Sequence, residues 1–492
     1  MNINLMSPHE ISEAISKFEV NNEDFILQDT FYGWNTWQLL KKPLYYSVKD
    51  TTFKVKKRNL NNSPFNLIYS TLRIFFNVFK LFVFKRGRPL FYTNANYKLE
   101  KLNGKHIDVF FDYLIIKWFK RKVVYVESNV VKDPKNVAVK KDLHTDDMRL
   151  LLFIVNKLFV NKYVVSDKAK RIVFLLNDFF RKEGYSFVIE ENKVCSILSR
   201  FYADYLLNKM LFRIVSPKAI CMVDGIPTGA MAAGRNLGIP VYEFQHGFII
   251  KDKPDYIMSG YLKSLYYKMV LPDYIFVFGE FFRENLLESG FWNHNQIRSL
   301  GNFRVDKLRK SFSRKTEPND TLKILFATQP STFEHTKKFL LALKDILPSS
   351  IVVSIKCHVR EPKNNNDWYQ SYVNNENTKY LTPDLSLMEL MKEHEILVSY
   401  HSTAIFEVLG LGMPAVTIGT EEFPRGINSL VNVNISDVLK DIRSADEFVK
   451  LFMCFKNDIL FRERWLGNCQ KNASYFYDEK YDQNLDDFSK TL

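Results

Sequence analysis

The sequence predicts an α/β protein of two Rossmann-like domains facing a cleft. Three observations predict it. From about residue 105, short β-rich runs alternate with helical patterns, the signature of βαβ units and a parallel sheet. The alternation is run through twice, on either side of a polar, charged stretch at 309–320 (RKSFSRKTEPND) that carries Pro318. A chain of 492 residues is also too long for one ordinary core. The expected division is therefore 1–312 and 320–492, with the C-terminal helix returning to the first domain.

In the first half, Lys105–Tyr113 (KHIDVFFDY) and Lys122–Val126 read as strands, and 146–182 reads as helical with an interruption near Ser166. Cys195–Arg213 is a further helix. The pattern then sharpens: strands Ala219–Val223, Val241–Phe244, Tyr274–Phe278 and Ile297–Leu300 alternate with helices Thr228–Leu237 and Glu280–Ser289. Gly238–Pro240 supplies a turn and Gly290 a helix stop. In the second half the strands are Leu322–Ala327, Ile351–Lys356, Ile396–Ser399 and Ala415–Ile418. Between them lie helices Glu334–Leu347, Leu387–Lys392 and Thr403–Leu411, and the tail from about Ser444 is helical.

Composition narrows the function classes. Hydrophobic residues at 46% and charged residues at 25% exclude a disordered chain. Five scattered cysteines exclude a disulfide framework and a zinc ribbon, and fit a reducing compartment. The first twenty residues lack a basic stretch followed by an apolar run, so no secretory signal is expected. Residues 51–100 hold ten Lys/Arg and one acid, an excess of +9. Such an excess points to an anionic partner. Seven aromatics lie between Phe65 and Phe84, interrupted by Arg73, Asn77 and Lys80, which with Ser70 form one polar stripe of a helix. Charge inside the run argues against a membrane span. A core helix with a solvated stripe and an interfacial helix on an anionic membrane surface, with Lys85, Arg86 and Arg88 at the headgroups, are the two readings that remain. With no nucleic-acid motif present, no nucleic-acid partner is expected.

Ligands of open α/β sheets bind outside the carboxyl ends of the strands, and three such ends carry chemistry. Tyr400-His401-Ser402-Thr403-Ala404-Ile405-Phe406-Glu407 follows Ile396–Ser399. Ser402 stands at the N-cap position, and the hydroxyls of Ser402 and Thr403 with the first N–H groups form an anion site. Glu407, one turn on, is placed to accept from ribose hydroxyls. Lys356-Cys357-His358-Val359-Arg360 ends Ile351–Lys356, and Lys356, His358 and Arg360 suit a phosphate. In the first domain Glu243-Phe244-Gln245-His246-Gly247 leaves one strand and Asp224-Gly225 its neighbour. His246 and Asp224 are candidates for base or nucleophile, with Glu243, Gln245 and Gly247 as further cleft residues. GxxxxGK[ST], GxGxxG after the first strand, metal-ligand spacings and DxD are all absent. No metal and no cofactor is expected.

Together, EFQHG in one half and K-x-H followed by HSTAIFEVLGLGMP in the other resemble the GT-B glycosyltransferases that build bacterial surface polysaccharide, capsule or lipopolysaccharide. KCHVRE is similar to the His-Pro motif of bacterial polysialyltransferases and teichoic-acid-type glycerophosphotransferases, with Val359 in place of the proline. HSTAIFE is similar to their serine motif. The resemblance spans about 219–433. It implies a nucleotide, often CMP, held by His358, Ser402, Thr403 and Glu407, and an acid/base role for His246. It implies a metal-independent transferase taking a nucleotide-sugar donor to a glycan or glycolipid acceptor, in the cytoplasm at the inner face of the bacterial inner membrane. A CDP-glycerol- or ribitol-type polyol-phosphate transferase, and a non-catalytic nucleotide-sugar-binding scaffold of a polysaccharide assembly complex, are the competing readings.

Overall fold

A computed structural model describes residues 8–49, 64–94, 100–120, 122–128, 136–145, 148–185, 188–247, 249, 255–311, 320–373, 376–420, 426–429, 431 and 434–492. Most of the expected linker and the basic residues at 51–63 lie outside them.

Two parallel sheets organise the chain. The first contains β1 (Leu90–Asn94), β2 (Val124–Ser128), β3 (Leu143–His144), β4 (Ile220–Val223), β5 (Val241–Phe244), β6 (Tyr274–Val277) and β7 (Ile297–Ser299). Its order is β7-β6-β5-β4-β1-β2-β3, with every pairing parallel. The second contains β8 (Leu322–Ala327), β9 (Ile351–Lys356), β10 (Thr378–Leu381), β11 (Ile396–Ser399), β12 (Ala415–Ile418) and β13 (Leu439–Ile442), in the order β10-β9-β8-β11-β12-β13. Both run 3-2-1-4-5-6 from one edge, the first with one strand added, which is the doubly wound Rossmann order. The two Rossmann-like domains face a cleft, the GT-B arrangement. Helices cover both faces of such sheets, so β4, β5, β11 and β12 are unbroken apolar or buried runs rather than alternating ones.

Several elements differ from the sequence reading. Lys105–Tyr113 is not one strand: Lys105–Ile107 pairs antiparallel with Glu100–Leu102, and a helix starts at Asp112. The Asp108 carboxylate accepts from the N–H groups of Phe110 and Phe111 at 2.8 and 2.9 Å, a local turn that outcompetes strand pairing. The helical break falls at Val160–Asn161 and not near Ser166. There Asn161 Oδ1 accepts from Tyr163 and Val164 N–H, capping Lys162–Lys182. The strands β1, β3, β10 and β13 were not read from the sequence.

The chain ends on the domain where it began. In the C-terminal helix Tyr481–Thr491, the Phe488 ring lies 5.2, 5.5 and 4.8 Å from those of Tyr242, Phe244 and Phe276 on the first sheet. Burying one such ring contributes about 1.5–3 kcal/mol. The crossing segment before it runs through slots with no room for a side chain. A Cβ on Gly279 would stand 2.5 Å from Phe476 backbone, and one on Gly410 would stand 2.5 Å from the Tyr477 ring.

Candidate active site in the interdomain cleft

One half of the candidate site is assembled where β8, β9 and β11 end. Ser399 Oγ donates to Ala327 O at 2.8 Å and Thr417 Oγ1 to Tyr400 O at 2.6 Å, fixing the exit of β11. Ser402, in extended conformation, then caps the Thr403–Gly410 helix by accepting from Ala404 N–H at 3.3 Å. Gly412, at φ +72°, ends that helix in the left-handed conformation that glycine adopts without strain. Two residues not singled out from the sequence, Thr328 and Gln329, lock the exits together. Gln329 spans the His401 peptide, with Nε2 donating to its carbonyl at 2.9 Å and Oε1 accepting from its N–H at 3.1 Å. Thr328 Oγ1 accepts from His358 N–H and donates to Glu361, both at 3.2 Å.

This network sets the chemistry of His358. Its Nδ1 accepts from the Arg360 backbone N–H at 3.1 Å. A backbone N–H can only donate, so the neutral ring carries its proton on Nε2. Local desolvation, then the charges of Arg360 and Lys356, hold the ring below the usual histidine pKa. His358 is thus a neutral Nε2–H donor on an exposed turn. Arg360 is exposed beside it. Lys356 differs from the expectation of a free phosphate ligand: it is 6% exposed, and Nζ donates to the carbonyls of Cys357 and Pro383 at 2.8 and 2.9 Å. It braces the turn and adds positive potential from below. Glu407 is also engaged, accepting from Arg304 of the first domain at 3.0 Å.

In the first domain, Asp224 and His246 leave adjacent strands, with Asp224 Oδ1 at 4.0 Å from His246 Nε2. Asp224 sits at φ +58°, a conformation rare outside glycine that Asp tolerates better than most. Lys42, from the Thr36–Lys49 helix, donates to Asp224 Oδ1 and to Ile226 O, both at 2.7 Å, and lies 3.2 Å from the buried Asp255. Nothing in the sequence ties residue 42 to residue 224, so Lys42 and Asp255 went unread. Two of the further candidates are scaffolding. Glu243 is fully buried, accepts from Gly225 N–H with both oxygens at 3.0 and 3.1 Å, and takes the Tyr256 hydroxyl at 3.1 Å. Burial pushes its carboxyl up to about 8. Gln245 accepts from Phe278 N–H and donates to Gly247 O, shaping the turn that presents His246.

The two sides meet at Gly247. A Cβ there would lie 4.0 Å from Thr403 Cγ2, in ordinary contact. The His246-Gly247 turn therefore stands over the N-terminus of the Thr403–Gly410 helix. Behind it, Phe406 packs against Phe281 and Phe282 at 5.2 and 5.3 Å between ring centres, joining the domains. Among the described residues, no group of three or more His, Cys, Asp or Glu is placed to hold a metal.

No family model matches the chain, and no curated protein matches it. Solved structures do. A UDP-GlcNAc 2-epimerase from Neisseria meningitidis bound to UDP-GlcNAc is similar over 82% of this chain and 100% of its own, at 13% identity and TM-score 0.45. MurG from Acinetobacter baumannii is similar over 82% and 100%, at 10% identity and TM-score 0.45. The spinosyn rhamnosyltransferase SpnG is similar over 81% and 100%, at 9% identity and TM-score 0.42. At such identities these are likenesses of chain path.

Proposed function

We propose that the chain is a metal-independent glycosyltransferase that moves a sugar from a nucleotide-activated donor, CMP-linked by preference, to a growing bacterial surface glycan or glycolipid at the inner face of the inner membrane. One observation carries the reading: the turn that follows the Asp224–His246 pair of one sheet meets the N-terminus of the Thr403–Gly410 helix of the other, with Gly247 against Thr403. The nucleotide phosphate takes the His358 Nε2–H, the Arg360 guanidinium, the Ser402 and Thr403 hydroxyls and the first N–H groups of the helix. These donors stabilise the charge that develops as the glycosidic bond breaks and the phosphate leaves with the electron pair. The acceptor hydroxyl attacks the anomeric carbon and gives its proton to His246. The Lys42 ammonium donates to Asp224 at 2.7 Å, which suits that carboxylate to orienting and stabilising the imidazolium rather than to taking the proton. Glu407 meets the ribose once it exchanges Arg304 for hydroxyls.

A polyol-phosphate transferase with a CDP-linked donor would use the same nucleotide side, and product analysis separates the two. A thermal-shift series of CMP, CDP, UDP, UMP and GDP with their sugars tests the reading, because a ligand bound only by the native state raises the melting temperature with occupancy. A selective shift with a CMP- or CDP-linked compound, followed by transfer to an acceptor, supports it. Nucleotide binding without turnover makes the chain a scaffold instead. No shift with any member removes the donor site.

A further inference from the structure

The Pro64–Phe84 helix is apolar on both sides. Ile74 and Leu81 are buried on its inner face. Its outer face exposes Leu72, Phe75, Phe76, Phe79, Phe82 and Val83, each between 45% and 68%. At 3.6 residues per turn these six share one continuous arc, and Arg73 and Lys80 border it on one edge. The neighbouring Arg149–Phe159 helix packs against it, and both lean on the long Glu191–Val215 helix. That second helix exposes Phe153, Leu158 and Phe159 at 62–69%. These three do not share one arc of their helix, so the continuous aromatic face is that of Pro64–Phe84. Such an expanse exceeds the scattered apolar residues of an ordinary surface.

We propose that this outer face of the Pro64–Phe84 helix is a monolayer-inserting surface for anionic phospholipid. It rests on the peripheral location of the reading above and not on its chemistry. Charge decides the occupant. The described residues of this helix and its flank, 64–94, include Arg73, Lys80, Arg86 and Arg88 and no Asp or Glu, while Lys85 is already paired with Asp142 at 2.7 Å. A cationic border around an aromatic face matches headgroups outside and acyl chains inside. A second copy is disfavoured, because a two-fold contact would set the same cationic border against itself on a chain of net charge +14. Among the described residues no helix is long and apolar enough to cross a membrane, which fits a face that lies in the interface. The sequence reading offered a solvated stripe or an interfacial helix; the exposed arc favours the second.

The test is co-sedimentation of the full chain with vesicles of phosphatidylcholine, alone or with about one-third phosphatidylglycerol. Binding to the anionic vesicles is expected, falling as salt rises from about 50 to 300 mM. Phe76→Ser with Phe79→Ser should weaken it at least about tenfold, with melting temperature and nucleotide-induced shift unchanged. Lys80→Glu with Arg86→Glu should remove the preference for anionic vesicles, and it serves as the second variant should the first not fold. Leu460→Ser, at a position 73% exposed on the other domain, should change nothing. Failure of the wild type to bind anionic vesicles at low salt overturns the proposal. So does sedimentation as a dimer that the double serine variant dissolves while vesicle binding persists. Loss of nucleotide response with vesicle binding intact counts against the transferase reading alone.

Discussion

Glu243→Gln should remove a pH dependence from the stability of the fold. Burial raises the Glu243 carboxyl, and the nearby Asp224 raises it further; the Gly225 N–H, Lys42 and Tyr256 pull the other way, leaving it up at about 8 against an ordinary 4.5. Above about 4.5 the unfolded chain releases this proton while the native state keeps it. The native state then binds more protons, so stability is greatest below about 4.5 and falls as pH rises toward 8. The slope is about 1.4 kcal/mol per unit, a ceiling of about 4 kcal/mol between pH 5 and pH 8. Gln keeps an oxygen for the Gly225 N–H and carries no proton to lose. Asp204, raised to about 6, contributes a slope of the same sign at lower pH, while His358 and His394, both lowered, contribute the opposite sign. The readout is therefore the difference between wild type and variant in urea unfolding at pH 5, 6, 7 and 8. The variant should gain on the wild type steadily. A constant difference across that range would mean that Lys42 keeps Glu243 ionised throughout, and the reasoning fails.

The remaining expectations concern the cleft. His358→Ala should weaken nucleotide binding by about 1.5–3 kcal/mol, the range for a hydrogen bond to a charged group, and calorimetry showing unchanged affinity removes the assignment. Asp224→Asn and His246→Ala should each lower turnover at least about 100-fold with nucleotide affinity near wild type; near-normal turnover in both places the chemistry elsewhere. Gly225→Ala sets a Cβ 2.8 Å from Glu243 Oε2 and 3.0 Å from Met222 Cβ, and should cost about 1–3 kcal/mol in denaturant unfolding. Turnover should persist in EDTA, since cationic and N–H groups line the proposed phosphate position; loss restored by Mn²⁺ would reveal a metal site.

The fold was legible where burial leaves a continuous apolar run between helical patterns, as at β4, β5, β11 and β12. It was illegible where chemistry disguised the run. The strand β1 (LFYTN) is central to its sheet, yet it follows basic residues that read as part of an interfacial segment. The strand exits were legible where a distinctive residue follows the apolar run, as at His246, His358 and Ser402. Sequence could not separate a side chain that faces the cleft from one that builds it. Glu243 and Lys356 look as reactive as their neighbours until their hydrogen bonds are seen. Nor could it supply Lys42, whose partner at Asp224 lies 182 residues away, or Gln329, which acts only through the His401 peptide.

The returning C-terminal segment has a mechanical consequence. The chain passes between domains after Ser311 and again at Tyr475–Asp478, where glycines seat it tightly. A body joined to another at one point can swivel about three axes; joined at two, it turns most easily about the line through both. Two crossings would thus confine any relative rotation of the domains to the line that joins them. Arg309, donating to both Gly410 O and Tyr477 O, is the pin of the second crossing. A second tether of this kind restrains the spacing between the His246 turn and the helix start at Thr403 through the returning segment Tyr475–Asp478.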